Sequence, residues 1–233
     1  MRDQERKIYQ TDGDRYEALI AREDYIGNIP RAIDEIVNVD GLDVFDLGAG
    51  TGRLAVLLAP RVKSLRAFDI SAEMLRVCRE RLAVSRLSNW QLDVADHRQL
   101  PVEDHSADLV ISGWSISYLA VWNDEMSTRE LDVWFEEMKR VLRKGGMIVL
   151  LESLGTGNEG PIRLEHVEST YQWLEANGFQ HTWIRTDYQF ESLEEAVELA
   201  GFFFGEQMAD RVREKRLVIL PECTGVWWRR IAD

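Results

Sequence analysis

The sequence predicts an α/β fold in which a mostly parallel β-sheet carries helices on both faces. Short apolar runs typical of buried strands alternate with helical segments between residues 42 and 151, as in parallel sheets with crossover helices. Three glycines lie where the first strand meets the first helix, which is the ligand-binding position of open α/β sheets. The length of 233 residues, 45% of them hydrophobic, matches one elaborated domain.

The first 40 residues are predicted to form a helical cap on this sheet. Apolar residues recur at helical spacing over residues 15–37, in two pieces that are interrupted near Gly27 and Pro30. Charged residues occupy the positions between them, so each helix has one face that can pack.

The alternating region, residues 41–153, supplies five strands. They are predicted over residues 42–47, 65–68, 90–92, 108–112 and 147–151. Three helices connect these strands. Pro60 ends the first helix, Ser71 is a suitable N-cap for the second, and the third stops before Gly145.

The pattern changes in the last part of the chain, residues 154–233. We predict a helix over residues 164–176, a strand over 178–190, a helix over 192–215 and a last strand ending at 226–228. The two late strands are expected to form an antiparallel pair at one edge. Because all eight tryptophans lie at or after Trp90, we expect the substrate side of the protein to be shaped here.

The charge balance and the cysteines exclude several classes of partner. The chain has 28 basic and 41 acidic residues, a net charge of −13, and such a field repels nucleic acid and anionic lipid. No apolar run approaches the ~20 residues of a membrane span. Cys78 and Cys223 are too few for a disulfide scaffold and are not spaced for zinc. We therefore expect buried thiols and a cytoplasmic location.

The glycine cluster predicts a site for a nucleotide-like ligand. Gly48, Gly50 and Gly52 allow a tight turn and a close approach of the backbone to a ligand. The pattern also fits the dinucleotide motif, with Asp69 seventeen positions after Gly52, so an NAD-dependent oxidoreductase is an alternative. Asp46 favours a different ligand, because a carboxylate two residues before the first glycine would repel a pyrophosphate and attract a cation.

These residues resemble the class I S-adenosylmethionine-dependent methyltransferases of the small-molecule type, over residues 42–151. The resemblance implies a Rossmann-like seven-stranded sheet in the order 3-2-1-4-5-7-6, with strand 7 antiparallel. It also implies that Gly48, Gly50 and Gly52 carry the methionine portion of S-adenosyl-L-methionine, with Asp46 near its ammonium group. The product would be S-adenosyl-L-homocysteine.

The resemblance also implies contacts to the adenosine portion. Asp69 matches the acid that accepts from both ribose hydroxyls, although an Asp after a strand is also a common helix N-cap. Ile70 would pack on the purine, and Asp96 and His97 would bind its edge. Asp93 is the alternative to Asp96.

Two further residues are assigned to the cofactor site. Tyr16 is a candidate residue of an N-terminal lid, together with Arg22 and Tyr25. Ser112 lies at the end of the fourth strand.

The methyl acceptor is expected to be a small molecule. The sequence after the fourth strand lacks the Asp/Asn-Pro-Pro-aromatic motif of base- and amide-methylating members, and no acid-rich metal site of the catechol type is recognisable. Trp114, Tyr118 and Trp122 form a stripe at helical spacing that belongs either to the core or to the substrate wall. No catalytic base is named among His97, His105 and His166. A non-catalytic module that binds the cofactor is a second alternative.

Overall fold

The computed structural model describes residues 2–121 and 128–231, with only the backbone described for residues 2–6 and 121. Seven strands form the main sheet: β1 (Asp43–Leu47), β2 (Ser64–Asp69), β3 (Trp90–Val94), β4 (Ala107–Gly113), β5 (Leu142–Thr156), β6 (Gln180–Arg185) and β9 (Glu222–Arg230). Their order is β3-β2-β1-β4-β5-β9-β6. Strand β9, the seventh of this sheet along the chain, pairs antiparallel with β5 and β6. The predicted fold class and strand order are confirmed.

Ten helices of the described residues surround the sheet. They are α1 (Arg2–Thr11), α2 (Gly13–Ile20), α3 (Asn28–Ile36), α4 (Arg53–Leu58), α5 (Ala72–Val84), α6 (Ser117–Val121), α7 (Arg129–Val141), α8 (Glu168–Ala176), α9 (Leu193–Phe204) and α10 (Glu206–Lys215). Side chains alternate along β1: Phe45 and Leu47 join the core layer of Trp134 on α7, whereas Val44 joins the opposite layer with Leu58 on α4. This period of two places apolar cores on both faces, as a parallel sheet requires.

The predicted late strand over residues 178–190 is divided between two sheets. Its first part is β6, and its last part is a short strand, β7 (Tyr188–Gln189), which pairs with β8 (Ile219–Leu220) in a separate ladder. Polar side chains stabilise the segment between β6 and β7. The Thr186 and Thr224 hydroxyls share a hydrogen bond of 2.7 Å, and Asp187 pairs with Arg185.

Two predictions for helices also differ from the structure. The single helix over residues 192–215 is α9 followed by α10, because Gly205 between them has a φ of +89° that no helix continues through. Helix α1 lies within the predicted helical cap, but no separate helix is predicted over residues 2–11, since this polar segment lacks the apolar stripe that marks the helices over residues 15–37.

The N-terminal cap packs against the C-terminal elements. Leu19 of α2, Tyr188 of β7, Leu199 of α9 and Leu220 of β8 are all buried in one satellite core. This core holds α2 and the C-terminal elements together.

Cys78 and Cys223 are both free and buried, as predicted. Among the residues that the structure describes, no helix combines the length and the apolar character needed to cross a membrane.

Candidate cofactor and acceptor site

Two adjoining cavities contain most of the predicted site residues. The first has a volume of about 420 Å³ and is lined by the glycine loop and by residues that follow β2, β3 and β4. The second has a volume of about 550 Å³ and lies toward β5, β7 and β9. Tyr9, Tyr16, Trp114 and Tyr118 line both cavities and form an aromatic wall that the two cavities share.

Each glycine of the loop serves a different purpose. All three have positive φ, the region that favours glycine. A Cβ on Gly48 would overlap the side chain of Ser115, and one on Gly52 would lie 2.6 Å from Sγ of Cys78 on α5. A Cβ on Gly50 would meet only a carbonyl oxygen at 4.0 Å. Gly48 and Gly50 line the first cavity, whereas Gly52 allows α4 and α5 to pack.

Asp46 is a buried carboxylate without a hydrogen-bond partner on either oxygen. It is 1% exposed and lines a cavity of about 30 Å³ that shares Tyr16, Gly48 and Gly50 with the first cavity. Burial, and then the charge of Asp69, raises the pKa of Asp46 to about 7. A buried acid with no partner is costly, so Asp46 is suited to a cationic group of a ligand.

Asp69 joins the glycine loop to the end of β2. One carboxylate oxygen accepts the Gly50 N–H at 2.8 Å, and the other accepts the Ser71 N–H at 2.8 Å. Burial raises its pKa, while these two amides oppose the rise. Ser71 itself caps α5, since its hydroxyl accepts the Met74 N–H. Asp69 therefore orders the loop, and it also lines the first cavity.

The predicted adenine-binding residues line the same cavity. Ile70 lines it with 56% of its surface exposed, and Asp96 and His97 line it as well. Arg98 pairs with Asp96 and lowers the pKa of that carboxyl. Asp93, the alternative to Asp96, does not line the cavity and pairs with Arg66 instead.

His97 is buried, and its Nδ1 has no hydrogen-bond partner. Burial lowers the pKa of His97 to about 4, so its ring is neutral at physiological pH. Nε2 of the ring lies 3.5 Å from the Ser115 hydroxyl, so Nδ1 is the ring atom that remains for a ligand.

Ser112 and the lid candidates Arg22 and Tyr25 do not line either cavity. The Ser112 hydroxyl donates to the Leu47 carbonyl at 2.8 Å and joins β4 to β1; Ser115, three residues later, lines the first cavity. Arg22 pairs with Glu195 on α9, and Tyr25 does not line either cavity.

Trp114 is a site residue whose role the sequence left open. It lines both cavities, and its φ of +51° lies in the left-handed region that a bulky residue rarely adopts. The Arg53 guanidinium stacks 3.9 Å from the ring centroid. Tyr118 lines both cavities, so these two members of the predicted stripe belong to the wall. Trp122 lies outside the described residues.

Two of the candidate histidines occupy different environments in the structure. His166 lines the second cavity, whereas Nδ1 of His105 lies 2.8 Å from the Leu142 carbonyl oxygen.

The sheet order and the acid-plus-glycine loop at its carboxyl edge define a nucleotide-binding α/β protein, and comparison with known proteins narrows this class. Residues 45–150 match a family model described as a methyltransferase domain. This stretch is therefore similar to methyltransferases. The similarity supports the class, and with it the cofactor S-adenosyl-L-methionine, that the sequence predicts.

Individual relatives support the same family. The chain is 34% identical over 138 residues to the malonyl-[acyl-carrier protein] O-methyltransferase of Marinomonas sp. (strain MWYL1). The match covers 56% of this chain and 47% of that protein. It is 28% identical over 158 residues to the demethylmenaquinone methyltransferase of Staphylococcus aureus (strain MRSA252). This match covers 65% of this chain and 61% of that protein. The matched parts are about half to three fifths of the length of these relatives.

A solved structure shares the fold. Phosphoethanolamine N-methyltransferase 2 of Haemonchus contortus, in complex with S-adenosyl-L-methionine, has a TM-score of 0.58 and 16% sequence identity. The match covers 90% of this chain and 53% of that one.

Proposed function

We propose that this protein transfers a methyl group from S-adenosyl-L-methionine to a small molecule bound in the second cavity. The observation that carries this proposal is the aromatic wall shared by the two cavities, because it would bring a bound acceptor next to a bound cofactor. The volume of about 550 Å³ for the second cavity suits a small molecule.

The residues of the first cavity fit the cofactor. Unpartnered Asp46 is the group to hold the ammonium, and the open backbone at Gly50 leaves space for the methionine portion. Asp69 keeps lone pairs for the ribose hydroxyls beyond its two amide bonds. Ile70 offers an exposed apolar surface to the purine. A pyrophosphate beside Asp46 would be repelled, which disfavours the nicotinamide alternative.

Methyl transfer requires little of the protein beyond alignment of the reacting groups and exclusion of water. The bound cofactor supplies a methyl group already activated by a sulfonium. Tyr9, Tyr16, Trp114 and Tyr118 would orient the acceptor and keep water from the reacting atoms. The Tyr9 and Tyr118 hydroxyls share a hydrogen bond of 2.9 Å, which fixes these two rings relative to each other.

The relatives act on different acceptors by name: an acyl-carrier protein conjugate, a quinone and phosphoethanolamine. They support methyl transfer as the reaction but do not select one acceptor for this chain.

The test combines cofactor binding with turnover. We expect S-adenosylhomocysteine, but not NADH, to bind in calorimetry, and labelled methyl to pass from S-adenosyl-L-methionine to a member of a small-molecule panel. Binding of NADH alone would support the oxidoreductase. Cofactor binding with no methylation across the panel would support the non-catalytic module.

A pair of variants connects turnover with the second cavity. Leu164→Trp places bulk in this cavity, which Leu164 lines, so we expect at least a tenfold loss of turnover with little change in S-adenosylhomocysteine affinity. Ile162→Trp, two residues away and exposed, is the control and should leave both unchanged. Equal turnover in the two variants would show that the acceptor binds elsewhere.

A further inference from the structure

The second cavity contains a buried acid that the proposed function does not yet use. Glu222, on β9, is 2% exposed and lines this cavity. The Ser153 hydroxyl donates to its Oε1 at 2.7 Å, whereas its Oε2 is buried without a hydrogen-bond partner. An unsatisfied carboxylate oxygen at a cavity wall is a costly arrangement that a ligand can relieve.

The neighbouring charges leave a negative excess. Glu23 has a side chain that is 1% exposed and pairs with Arg53 at 2.5 Å, while its second oxygen, Oε1, has no partner. The described lining of this cavity contains three glutamates, Glu23, Glu152 and Glu222, but one arginine, Arg53. The third acid of the cavity, Glu152, is already engaged, because Oε2 accepts the Ser117 hydroxyl at 2.8 Å.

Aromatic rings surround these acids. Tyr9, Tyr16, Tyr118, Phe203 and Phe204 line the second cavity. The faces of aromatic rings attract cations. Rings and buried carboxylates together favour a cationic ligand with an apolar body over a neutral or anionic one.

We propose, building on the proposed function, that the second cavity selects a small molecule bearing a protonated primary or secondary amine, whose N–H groups donate to Oε2 of Glu222 and Oε1 of Glu23. The acceptor atom of the methyl group is then this nitrogen.

Glu222 is also placed to take the proton that the amine must lose. Burial and the charge of Glu23 raise the pKa of Glu222, while the hydroxyls of Thr156 and Ser153 oppose the rise. The ammonium gives one proton to Oε2. The nitrogen lone pair then forms the bond to the methyl carbon as the bond from that carbon to sulfur breaks, and the electron pair remains on sulfur.

The proposal is tested by binding to protein saturated with S-adenosylhomocysteine. The probes are three amines, phenethylamine, tyramine and tryptamine, each paired with the alcohol that replaces the amine by a hydroxyl: 2-phenylethanol, tyrosol and tryptophol. We expect at least one amine to bind about 10–100-fold more tightly than its alcohol, the range of a charge-assisted hydrogen bond. Glu222→Gln should reduce this preference to less than about threefold.

Glu152→Gln is the matched variant, since it neutralises a buried glutamate of the same cavity whose oxygens are engaged by Ser117; it should retain the amine preference. If Glu222→Gln does not fold, Ser153→Ala, which removes the donor to Oε1, should still alter amine affinity. Equal binding of amines and alcohols, or no binding of any amine, would overturn the proposal. If S-adenosylhomocysteine binds and a neutral acceptor is methylated, this inference fails while the proposed function stands. If S-adenosylhomocysteine does not bind, the proposed function fails.

Discussion

Asp46 is the residue whose ionisation should report cofactor binding most directly. Burial, and then the charge of Asp69, raises its pKa to about 7. The carboxyl is therefore mostly protonated at pH 6 in the cofactor-free protein. A bound ammonium would favour the ionised form, so binding must release this proton.

We expect S-adenosylhomocysteine binding at pH 6 to release close to one proton, and its affinity to rise by up to about tenfold per pH unit between about pH 5 and 7. The measurement is calorimetry in buffers of different ionisation enthalpy. Asp46→Asn should abolish the proton release and flatten the pH dependence. Proton release that persists in this variant would assign the titration to another group.

Asp69 combines a structural and a binding role. Its two oxygens accept the Gly50 and Ser71 N–H groups. Asn would turn an NH₂ group toward one of these donors. We expect Asp69→Asn to lower the free energy of unfolding by about 1–3 kcal/mol and to weaken S-adenosylhomocysteine binding by about 10–100-fold.

Chemical denaturation without cofactor and a calorimetric titration measure these two effects. Ser71→Ala is the comparison, because it removes the α5 cap and costs about 1 kcal/mol without touching the carboxylate. Unchanged affinity in Asp69→Asn would remove this residue from the ribose site.

At the scale of elements, the glycine loop determines how closely α4 and α5 approach. Gly52 precedes α4 with a φ of +88°, and a Cβ there would lie 2.6 Å from Sγ of Cys78 on α5. We expect Gly52→Ala to destabilise the protein by about 2–4 kcal/mol, through backbone strain and overlap together. Adding Cys78→Ala should recover about 1 kcal/mol of this lost stability, and that amount is the coupling energy between the two positions.

Gly50→Ala is the control for this cycle, because its Cβ meets open space and only the strain of positive φ remains. It should cost about 1–2 kcal/mol and combine additively with Cys78→Ala. Thermal and chemical unfolding of the five variants give the coupling. No coupling between Gly52→Ala and Cys78→Ala would contradict the contact.

At the scale of the whole molecule, several buried acids determine how stability depends on pH. Burial raises the pKa of Asp46 and of Glu152 to about 7 and that of Glu222 to about 8. Because the unfolded chain ionises these groups first, their contribution to stability is lost as the pH rises from about 4 to about 8. His97, with its pKa lowered to about 4, contributes in the opposite direction, mainly below about pH 6.5.

We therefore expect the free energy of unfolding of the cofactor-free protein to be lower at pH 8 than at pH 6, by about 1–2 kcal/mol. Denaturant titrations at equal, moderate salt measure it, since salt screens the general repulsion of a chain with a net charge of −13. The double variant Asp46→Asn/Glu152→Gln should show a smaller difference. A protein more stable at pH 8 than at pH 6 would contradict the assignment of these raised pKa values.

The sequence by itself determined the five strands of the alternating region and the glycine loop, because these rest on short segments. The strand order and the cofactor class came from the family resemblance that these segments carry. The strand, the acid and the three glycines that define the loop span residues 43–52, and Ser71 caps α5 as its sequence position predicts. Such features depend on local backbone preferences and on periodicity, which the order of residues contains directly.

Only the tertiary structure decided which side chains form the second cavity. Glu23, Trp114 and Glu222 are separated by about a hundred residues from one to the next, and no local pattern relates them. The tertiary structure also decided the role of Ser112, whose hydroxyl donates to the Leu47 carbonyl on β1. These contacts depend on how the N-terminal cap packs against β7, β8 and α9, and burial then determines which acids lack a partner.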